Sequence, residues 1–307
     1  MTSRSGLWRV LRAALLMATL LVALLHATGL RPLRFITEFD LAIADARLRA
    51  LMPHTFDERV VIVDVDEKSL TEVGRWPPGR DRLAALTTEL FDRQRAGVVG
   101  FDMLFVEADT SAGLAAIDRL EVEAPDLAPR LVGLRVRLDH DAAFARAFQG
   151  RHVVLGSYLT SDRDRQRTGV LPEPLFDAAA LQGRQVAVTH WDGYAAPLAQ
   201  LARAAPNAGY FNAVADADGL LRSVPLLAEH DGRYVEPLAL ALFRAYAGAT
   251  EVRPGFPTER ALWRDYRALA SVVLRQGAQQ VAIPVDELAR VRVPFRGNGG
   301  PHGGSFR

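Results

Sequence analysis

Hydrophobic positions are unevenly distributed along the 307-residue chain, and the first block of them lies near the N-terminus. Residues 13–30 contain no Asp, Glu, Lys or Arg, whereas Arg4, Arg9 and Arg12 precede them. An 18-residue helix is about 27 Å long, close to the roughly 30 Å thickness of the hydrocarbon core of a bilayer. This pattern is typical of an uncleaved anchor; a cleaved secretory signal and a buried helix of a soluble protein are the alternatives. No second run of this length follows, so we predict a single membrane crossing.

The charges beside this run set the expected orientation. Arg31 and Arg34 follow it, so the difference in positive charge across the run is small. The tail before it is short and basic, and we therefore place residues 1–12 in the cytoplasm, residues 13–30 in the membrane and residues 31–307 outside. The corresponding localisation is the inner membrane of the cell, with one transmembrane helix.

Downstream, continuous apolar runs alternate with helical spacing. The run Val60–Asp66 is β-branched and apolar, as in a strand that is buried on both faces of a parallel sheet. Leu83, Leu86 and Leu90 give the next segment an apolar stripe at helical spacing, and residues 98–105 form another apolar run. Strand, helix and strand in this order predict a right-handed parallel βαβ unit.

The remaining pattern predicts further helices and strands. Phe35, Phe39 and Ile43 recur at helical spacing within residues 35–51. We also expect helices over 139–149, 198–204 and 235–247, and strands over 152–159, 209–214, 221–227, 271–274, 280–283 and 291–295, with hairpin turns at 216–219 and 230–232. The fold class is therefore α/β: a mainly parallel sheet with flanking helices plus an antiparallel meander, preceded by one N-terminal transmembrane helix.

Composition excludes several classes of function. There are 37 Lys and Arg against 36 Asp and Glu, a balance that argues against binding nucleic acid through a basic face. The chain has no cysteine, which removes thiolate metal sites, cysteine nucleophiles and disulfide scaffolds together. The histidines do not have the spacing of metal ligands, so a zinc site is not expected. No resident metal or cofactor is predicted.

Acidic side chains at the ends of predicted strands are the main candidates for binding a ligand. In open α/β sheets ligands bind outside the carboxyl ends of the strands. Asp64 and Asp66, two residues apart on a predicted strand, point to the same side and could chelate a divalent cation or bind a cationic group. The candidate ligand-binding residues are Asp64, Asp66, Glu67, Trp76, Arg80 and Asp102, with Asn212 and Asp218 as weaker candidates that also fit structural roles.

Other interpretations of the acidic pair remain open. An Asp-x-Asp sequence after an apolar strand is also found in metal-dependent phosphohydrolases, where the first Asp is the nucleophile and the second the general acid. In those enzymes a Thr or Val commonly stands two residues beyond the second Asp, where this chain has Lys68. A downstream acidic pair that could hold magnesium is not evident either. The carboxylates could instead cap the next helical turn and pair with Arg75, Arg80 or Lys68. A dimerisation scaffold without ligand is a further alternative.

Several ordered blocks resemble one known family. The blocks are residues 60–70, 74–77 with 80–81, 99–105 with Glu107 and Asp109, 209–212 followed by Asp216, Asp218, Gly219, Arg222, Pro225 and Leu226, then 237–245 and 293–297. Together they are similar to the CHASE type 2 (CHASE2) domain, the cyclase- and histidine-kinase-associated sensory extracellular domain, whereas residues 110–200 carry little of the resemblance.

The resemblance implies a bacterial sensory domain outside the membrane, without catalytic residues of its own. It also implies an unidentified stimulus as ligand and a cytoplasmic cyclase or kinase module in the same or a neighbouring polypeptide. A homodimer is a further expected partner. The family's domain is usually followed by more membrane helices, and we therefore expect the chain to be a C-terminally incomplete fragment.

Overall fold

The structure is a computed structural model that describes residues 4–28, 31, 33–55, 57–74, 76–110, 113–162, 164–216, 218–257 and 268–297. The chain divides into two compact units, and each is described by itself. The first unit contains residues 1–64 and 294–307, and the second contains residues 65–293.

The described residues form helices and mostly short strands. The α-helices are α1 (Arg4–Ala27), α2 (Arg34–Leu51), α3 (Glu67–Val73), α4 (Arg80–Asp92), α5 (Leu114–Glu123), α6 (Ala128–Leu138), α7 (His140–Ala147), α8 (Ala199–Ala204) and α9 (Leu238–Ala247). The strands are β1 (Val99–Phe101), β2 (Val153–Thr160), β3 (Arg167–Thr168), β4 (Phe176–Asp177), β5 (Thr189–His190), β6 (Gly193–Ala195), β7 (Asn207–Tyr210), β8 (Ser223–Pro225), β9 (Ala228–His230), β10 (Arg233–Val235), β11 (Glu251–Gly255), β12 (Ser271–Gln276), β13 (Gln279–Pro284) and β14 (Arg290–Arg292). Two 3-10 helices lie at Pro125–Leu127 and Ala178–Leu181.

The first unit contains the apolar N-terminal helix and an amphipathic one. Within the described residues, Gly6–Ala27 is the one helix that is long and apolar enough to cross a membrane. The backbone N–H of Leu33 donates a hydrogen bond to Nδ1 of His26, which links the end of α1 to the start of α2. The predicted helix over 35–51 is confirmed as α2. Its side chains Phe35, Phe39 and Ile43 are exposed within this unit.

The predicted strand Val60–Asp66 is wrong. Residues 61–66 have no regular secondary structure, and Val60 and Val61 are 69% and 76% exposed. A β-branched sequence provides strand propensity, but a strand forms only when its backbone groups pair with a neighbour. Because no described strand pairs with this run, the predicted βαβ unit is also wrong; β1 instead pairs in parallel with β2.

Strand β2 is the centre of the second unit and confirms the strand predicted over 152–159. Its first half pairs in parallel with β1 on one edge and with β7 on the other, while its last three residues pair antiparallel with β6. Nearly all of its side chains are buried. A strand of this kind needs cover on both faces of its sheet.

Aromatic side chains provide much of the cover for this sheet. Phe101 on β1 and Phe105 just after it meet Phe144 and Phe148, which α7 and its C-cap contribute. The rings pack mostly edge to face, with Phe144 and Phe148 centroids 4.5 Å apart. Such pairs stabilise a core beyond the area that they bury. The predicted helix over 139–149 is thus confirmed as α7, with its four-residue aromatic repeat inside the core.

Helix α9 packs against the same sheet, and glycine makes the close approach possible. A Cβ atom on Gly209 of β7 would lie 2.5 Å from the backbone nitrogen of Leu238 at the start of α9. A side chain there would force the helix away from the strand. The helix predicted over 235–247 is confirmed, although it begins three residues later, after Pro237.

The prediction of a mainly parallel sheet is not confirmed. In the described residues the strands form several small sheets, and six of the ten strand pairings are antiparallel. The three late strands are confirmed as β12, β13 and β14, the first two of which form an antiparallel hairpin. The second unit is therefore a mixed α/β structure with a parallel centre formed by β1, β2 and β7.

One predicted hairpin forms and the other does not. Asp231 and Gly232 both have positive φ between β9 and β10, the geometry that a two-residue hairpin turn requires. The backbone N–H of Gly219 bonds the carbonyl of Asp216, so a turn also forms there. However, β7 pairs with β2 and β8 pairs with β14. The turn at Asp216 and Gly219 therefore connects two different sheets and does not close a hairpin.

Removal of a core ring should destabilise the second unit. Phe144→Ala removes a fully buried side chain and should lower the free energy of unfolding by about 3–5 kcal/mol. Tyr246→Ala, which removes a ring that is 64% exposed on α9, should cost less than about 1 kcal/mol. Denaturant unfolding followed by circular dichroism measures both. Equal losses would contradict the assigned core.

Candidate functional site

Arg80 lies in a group of charged residues that we call the Arg80 cluster: Arg80, Asp81, Asp109, His140 and Asp141. Arg80 and Asp81 begin α4, Asp109 belongs to the loop after β1, and His140 and Asp141 begin α7. The cluster therefore joins three segments that are distant in sequence.

The Arg80 guanidinium is held by charge, hydrogen bonds and an aromatic ring. Its Nε lies 3.3 Å from Oδ1 of Asp141, and both side chains are about nine-tenths buried. Its Nη2 donates to the carbonyl of Glu107, and its Cζ lies 4.4 Å from the centre of the Phe105 ring. A buried guanidinium is tolerated only when paired in this way, because its desolvation costs several kcal/mol.

The carboxylates of the cluster also hold backbone groups. Oδ2 of Asp109 accepts the backbone N–H of Arg80 at 2.8 Å, and Oδ2 of Asp141 accepts the backbone N–H of Asp109 at 2.8 Å. A carboxylate at the first turn of α4 also interacts favourably with the helix dipole. The loop after β1 is thereby fixed to the N-terminal ends of α4 and α7.

The predicted acidic residues before α4 are exposed. Asp66 is the N-cap of α3: its Oδ1 accepts both the backbone N–H and the hydroxyl of Ser69, and these bonds lower the pKa of Asp66. Glu67, the first residue of α3, is exposed. Asp64 is exposed as well and belongs to the first compact unit, whereas Asp66 belongs to the second.

Trp76 and Asp102 are also open to solvent. The Trp76 side chain is half exposed, four residues before Arg80. Asp102 directly follows β1, at the carboxyl end of a parallel strand, and is exposed. Arg80, four residues after Trp76, donates to the carbonyl of Glu107, five residues after Asp102.

Asn212 and Asp218 have structural partners. The buried Asn212 amide accepts the backbone N–H of Leu159 and donates to its carbonyl, at 2.8 and 2.7 Å, so that it ties the chain after β7 to β2. Asp218 forms two hydrogen bonds with the Arg222 guanidinium, which lower its pKa to about 2. Each residue therefore has an identified hydrogen-bond partner, which supports the structural role that the sequence analysis gave as an alternative.

The eight predicted residues thus lie in different surroundings: some are exposed, and others are buried or paired with a charged group. In the part of the chain that the structure describes, no hydrogen bond or ion pair joins two of their side chains. Sequence reasoning missed that Asp109 and Asp141 are partners of Arg80 and that His140 lies beside Asp81 and Asp109. A cue was present, since Asp139, His140 and Asp141 open a predicted helix; Asp139 is indeed its N-cap and accepts the backbone N–H of Ala142.

Metal-ligating geometry is not seen in the described ranges. No three His, Asp or Glu side chains among these residues are grouped closely enough to hold a metal ion.

Comparison with known proteins identifies a family but no individual relative. The family model described as CHASE2 domain matches residues 17–306. No curated protein and no solved structure matches the chain.

Breaking the buried ion pair should cost far more than removing an exposed charge on the same helix. Arg80→Met leaves the Asp141 carboxylate buried without its cation, and the free energy of unfolding should fall by about 3–5 kcal/mol. Arg82→Met, at an exposed position of α4, should change it by less than about 0.5 kcal/mol. Denaturant unfolding of the two variants measures these changes. Similarly small losses of stability in both would contradict the claim that the Arg80–Asp141 pair stabilises the fold.

Proposed function

Because the chain belongs to the CHASE2 domain family, we propose that it is the membrane-anchored, extracytoplasmic sensory input domain of a bacterial signal-transduction protein. The observation that carries this proposal is the family match over residues 17–306, since CHASE2 domains are sensory extracellular domains of signalling proteins. No catalytic domain is matched in the chain.

The proposed topology follows from the apolar helix. Residues 1–12 form a cytoplasmic tail, residues 13–30 cross the inner membrane, and residues 31–307 form the sensory domain outside. The length and hydropathy of Gly6–Ala27 support this arrangement, and so does the basic tail before it.

The proposed ligand surface lies on the segments around the N-terminal end of α4 and the carboxyl end of β1. The exposed candidates of the second unit are Trp76 and Asp102, with Asp66 as the N-cap of α3 and Glu67 as its first residue. An aromatic face and ionised carboxylates attract a cation, the first through its quadrupole and the second by charge. A small cationic molecule or ion is therefore the proposed ligand, and the buried Arg80 is the group that positions the segments beneath it.

The proposed signal passes through the anchor to an output module. A ligand that binds one conformation more tightly than another shifts their populations, and the shift is limited by that difference in affinity. A cyclase or kinase module in the cytoplasm, in the same or a neighbouring polypeptide, would receive it.

A homodimer is the proposed quaternary state. The helix α2 carries an apolar stripe formed by Phe35, Phe39, Ile43, Ala46 and Ala50 at spacings of three and four residues. Its three large members are half to two-thirds exposed in the first unit. A large apolar stripe directly after a membrane span is well placed to meet the same stripe of a second copy, because both anchors share one plane.

Cationic compounds should stabilise the chain in a way that depends on the proposed surface. With the full chain in lipid nanodiscs, spermidine, choline, arginine, Ca²⁺ and Mg²⁺ are screened by thermal shift. A binder at 100 times its dissociation constant adds about 2.7 kcal/mol to stability. Trp76→Leu should weaken binding of that compound by about 3- to 30-fold, in line with a cation–π contact of about 0.5–2 kcal/mol. Asp102→Asn should weaken it as well, because it removes a negative charge.

Glu173→Gln is the matched control, because Glu173 is an exposed acidic residue elsewhere in the second unit. Its affinity should equal that of the wild type. If no compound of the panel raises the melting temperature, a scaffold without ligand is favoured. If Glu173→Gln loses as much affinity as the Trp76 and Asp102 variants, the ligand binds elsewhere. Magnesium-dependent phosphatase turnover that is lost in Asp64→Asn would replace the sensory proposal with the phosphohydrolase alternative.

Disulfide cross-linking tests the dimer, and the chain without cysteines is well suited to it. Ala46→Cys lies on the α2 stripe and Thr37→Cys on the opposite side of the same helix, given 100° per residue. In membranes under mild oxidation, Ala46→Cys should give several times more covalent dimer than Thr37→Cys. Equal yields would mean that random collision, rather than the stripe, brings the copies together.

A further inference from the structure

The imidazole ring of His190 has a carboxylate at each of its two nitrogen atoms. His190 is the second residue of β5, and its Nδ1 is within hydrogen-bond distance of Oε2 of Glu229 on β9. Its Nε2 lies 3.3 Å from Oδ1 of Asp192, two residues further along the chain. The ring therefore lies between two acidic groups that contact different nitrogens.

This arrangement fits a protonated ring and not a neutral one. A neutral imidazole carries one N–H group, so its other nitrogen is an acceptor, and an ionised carboxylate is an acceptor as well. In either tautomer, one of the two contacts would bring two acceptors together. Only the imidazolium ion donates from both nitrogens. Accordingly, the hydrogen bond to Glu229 raises the pKa of His190, partial burial opposes this, and Asp192 adds a further increase.

The charged groups around the ring leave a deficit of one positive charge. Nε of Arg165 lies 3.8 Å from Oδ1 of Asp192, and Nη1 of Arg167 on β3 lies 2.8 Å from Oδ2 of Asp231 in the turn after β9. The two carboxylates at the ring and Asp231 contribute −3, and the two arginines contribute +2. The group therefore carries −1 around a neutral ring and 0 around a protonated one.

Two other titratable side chains lie close to this group. Nδ1 of His230 donates to the carbonyl of Trp191 at 2.8 Å, which a neutral ring can do, and its Nε2 lies 3.6 Å from the carboxylate in the following turn. Tyr234 on β10 stays uncharged, since burial and the charge of Glu229 raise its pKa. Neither side chain replaces the ring between the two carboxylates.

The ring lies where a very short strand meets its neighbour. β5 consists of Thr189 and His190, and it pairs with β9 over these two residues. Oε1 of Glu229 accepts the backbone N–H of Gly232 at 2.5 Å. The same carboxylate thus joins β5 to the turn between β9 and β10.

Trp191, the residue after β5, connects this contact to the core. Its backbone N–H donates to the carbonyl of Glu229 at 2.9 Å. Its side chain packs against a group of buried residues that includes Leu159 on β2 and Tyr210 on β7. The position of β5 therefore affects a side chain that contacts the central sheet.

We propose that His190 is a pH-dependent clamp of this domain. With its proton bound, the ring joins Asp192 to Glu229 and holds β5 and Trp191 against β9; without it, one of the two contacts becomes repulsive and this segment loosens. Histidine ordinarily changes its charge between pH 5 and pH 8, so acidification of the surroundings closes the clamp. The use of the clamp as a signal rests on the proposed sensory function, whereas the protonation and its effect on stability do not.

The sign of the effect follows from linkage. The folded state binds the proton of His190 more readily than the unfolded state, in which a histidine has its ordinary pKa of about 6.5. The resulting stability is complete below that pH and is lost as the pH rises through the higher pKa of the folded state. The wild type should therefore gain stability relative to His190→Gln as the pH falls from 8.5 to 5.5.

The first test measures the pKa of His190 directly, by NMR titration of the full chain in nanodiscs with ¹³C-labelled histidine and with EDTA present. The signal that is missing in His190→Gln identifies the residue. Its pKa should lie above about 6.5 and should fall in both Asp192→Asn and Glu229→Gln, because each variant removes one negative charge from the ring. Asp126→Asn, at an exposed acidic residue of the 3-10 helix Pro125–Leu127, is the control and should leave the pKa unchanged.

The second test is thermal unfolding of the wild type, His190→Gln and His152→Gln in nanodiscs at pH 5.5 and pH 8.5. The melting temperature of the wild type minus that of His190→Gln should be about 1–3 °C larger at pH 5.5, the size expected for ion pairs of a half-exposed ring in a domain of this length. His152→Gln, at an exposed position before β2, should follow the wild type at both pH values.

Either test can overturn the proposal. A pKa of His190 at or below about 6.5 would do so, and so would a pKa that responds to neither carboxylate variant. Equal differences between the wild type and His190→Gln at the two pH values would contradict the clamp as well. The same holds for a pH-dependent loss in His152→Gln that is as large as that in His190→Gln.

These outcomes are separable from those of the proposed function. Cation binding that depends on Trp76 and Asp102 is measured at a single pH and does not require His190. Binding of a cation together with an ordinary pKa of His190 would retain the ligand surface and remove the clamp. A raised pKa without any cation that binds would do the reverse.

Discussion

The structure of the second unit depends on the burial of strand β2. Val153, Val154 and Leu155 are almost completely buried, and the strand is hydrogen-bonded on both edges. A strand without exposed faces must be covered by other elements, and those elements must approach closely. Glycine at position 209 allows α9 to do so on β7, while a cluster of phenylalanine rings joins β1 to α7.

The charged residues follow from this packing. Once the aromatic cluster sets α7 against the sheet, the N-terminal ends of α4 and α7 meet the loop after β1. The polar groups that meet there are removed from water and must satisfy one another. The pairing of Arg80 with Asp141 and the bond from Arg80 to Asp109 meet that requirement. The Nδ1 atom of His140 is the buried member of this group that lacks a hydrogen-bond partner among the described residues.

Features that local sequence determines were predictable, whereas features that depend on distant partners were not. β2, α7 and α9 are marked by their own periodicity and were predicted within a few residues. The run Val60–Asp66 has the composition of a strand, but a strand requires a second strand to pair with, and propensity does not supply one. The turn at Asp216–Gly219 forms, yet turn chemistry does not decide which strands pair on either side of it.

The same distinction holds for the candidate site. Arg80 was named from the sequence, but its partners lie 29 and 61 residues further along the chain. Only the fold brings them together, and it buries the Arg80 side chain that the sequence named as a ligand candidate. Trp76 and Asp102 remain exposed and free to meet a ligand, so their assignment stays a prediction.

The central claim is that the apolar N-terminal helix holds a folded sensory domain outside the cytoplasm, and single-cysteine labelling tests it most directly. The natural chain contributes no background thiol, so one cysteine at exposed Ser161 and, separately, one within residues 1–12 report the two sides of the membrane. In intact spheroplasts a membrane-impermeant maleimide should label Ser161→Cys fully and the tail cysteine only after lysis. Labelling of the tail in intact cells, or protection of Ser161→Cys until lysis, would contradict the account.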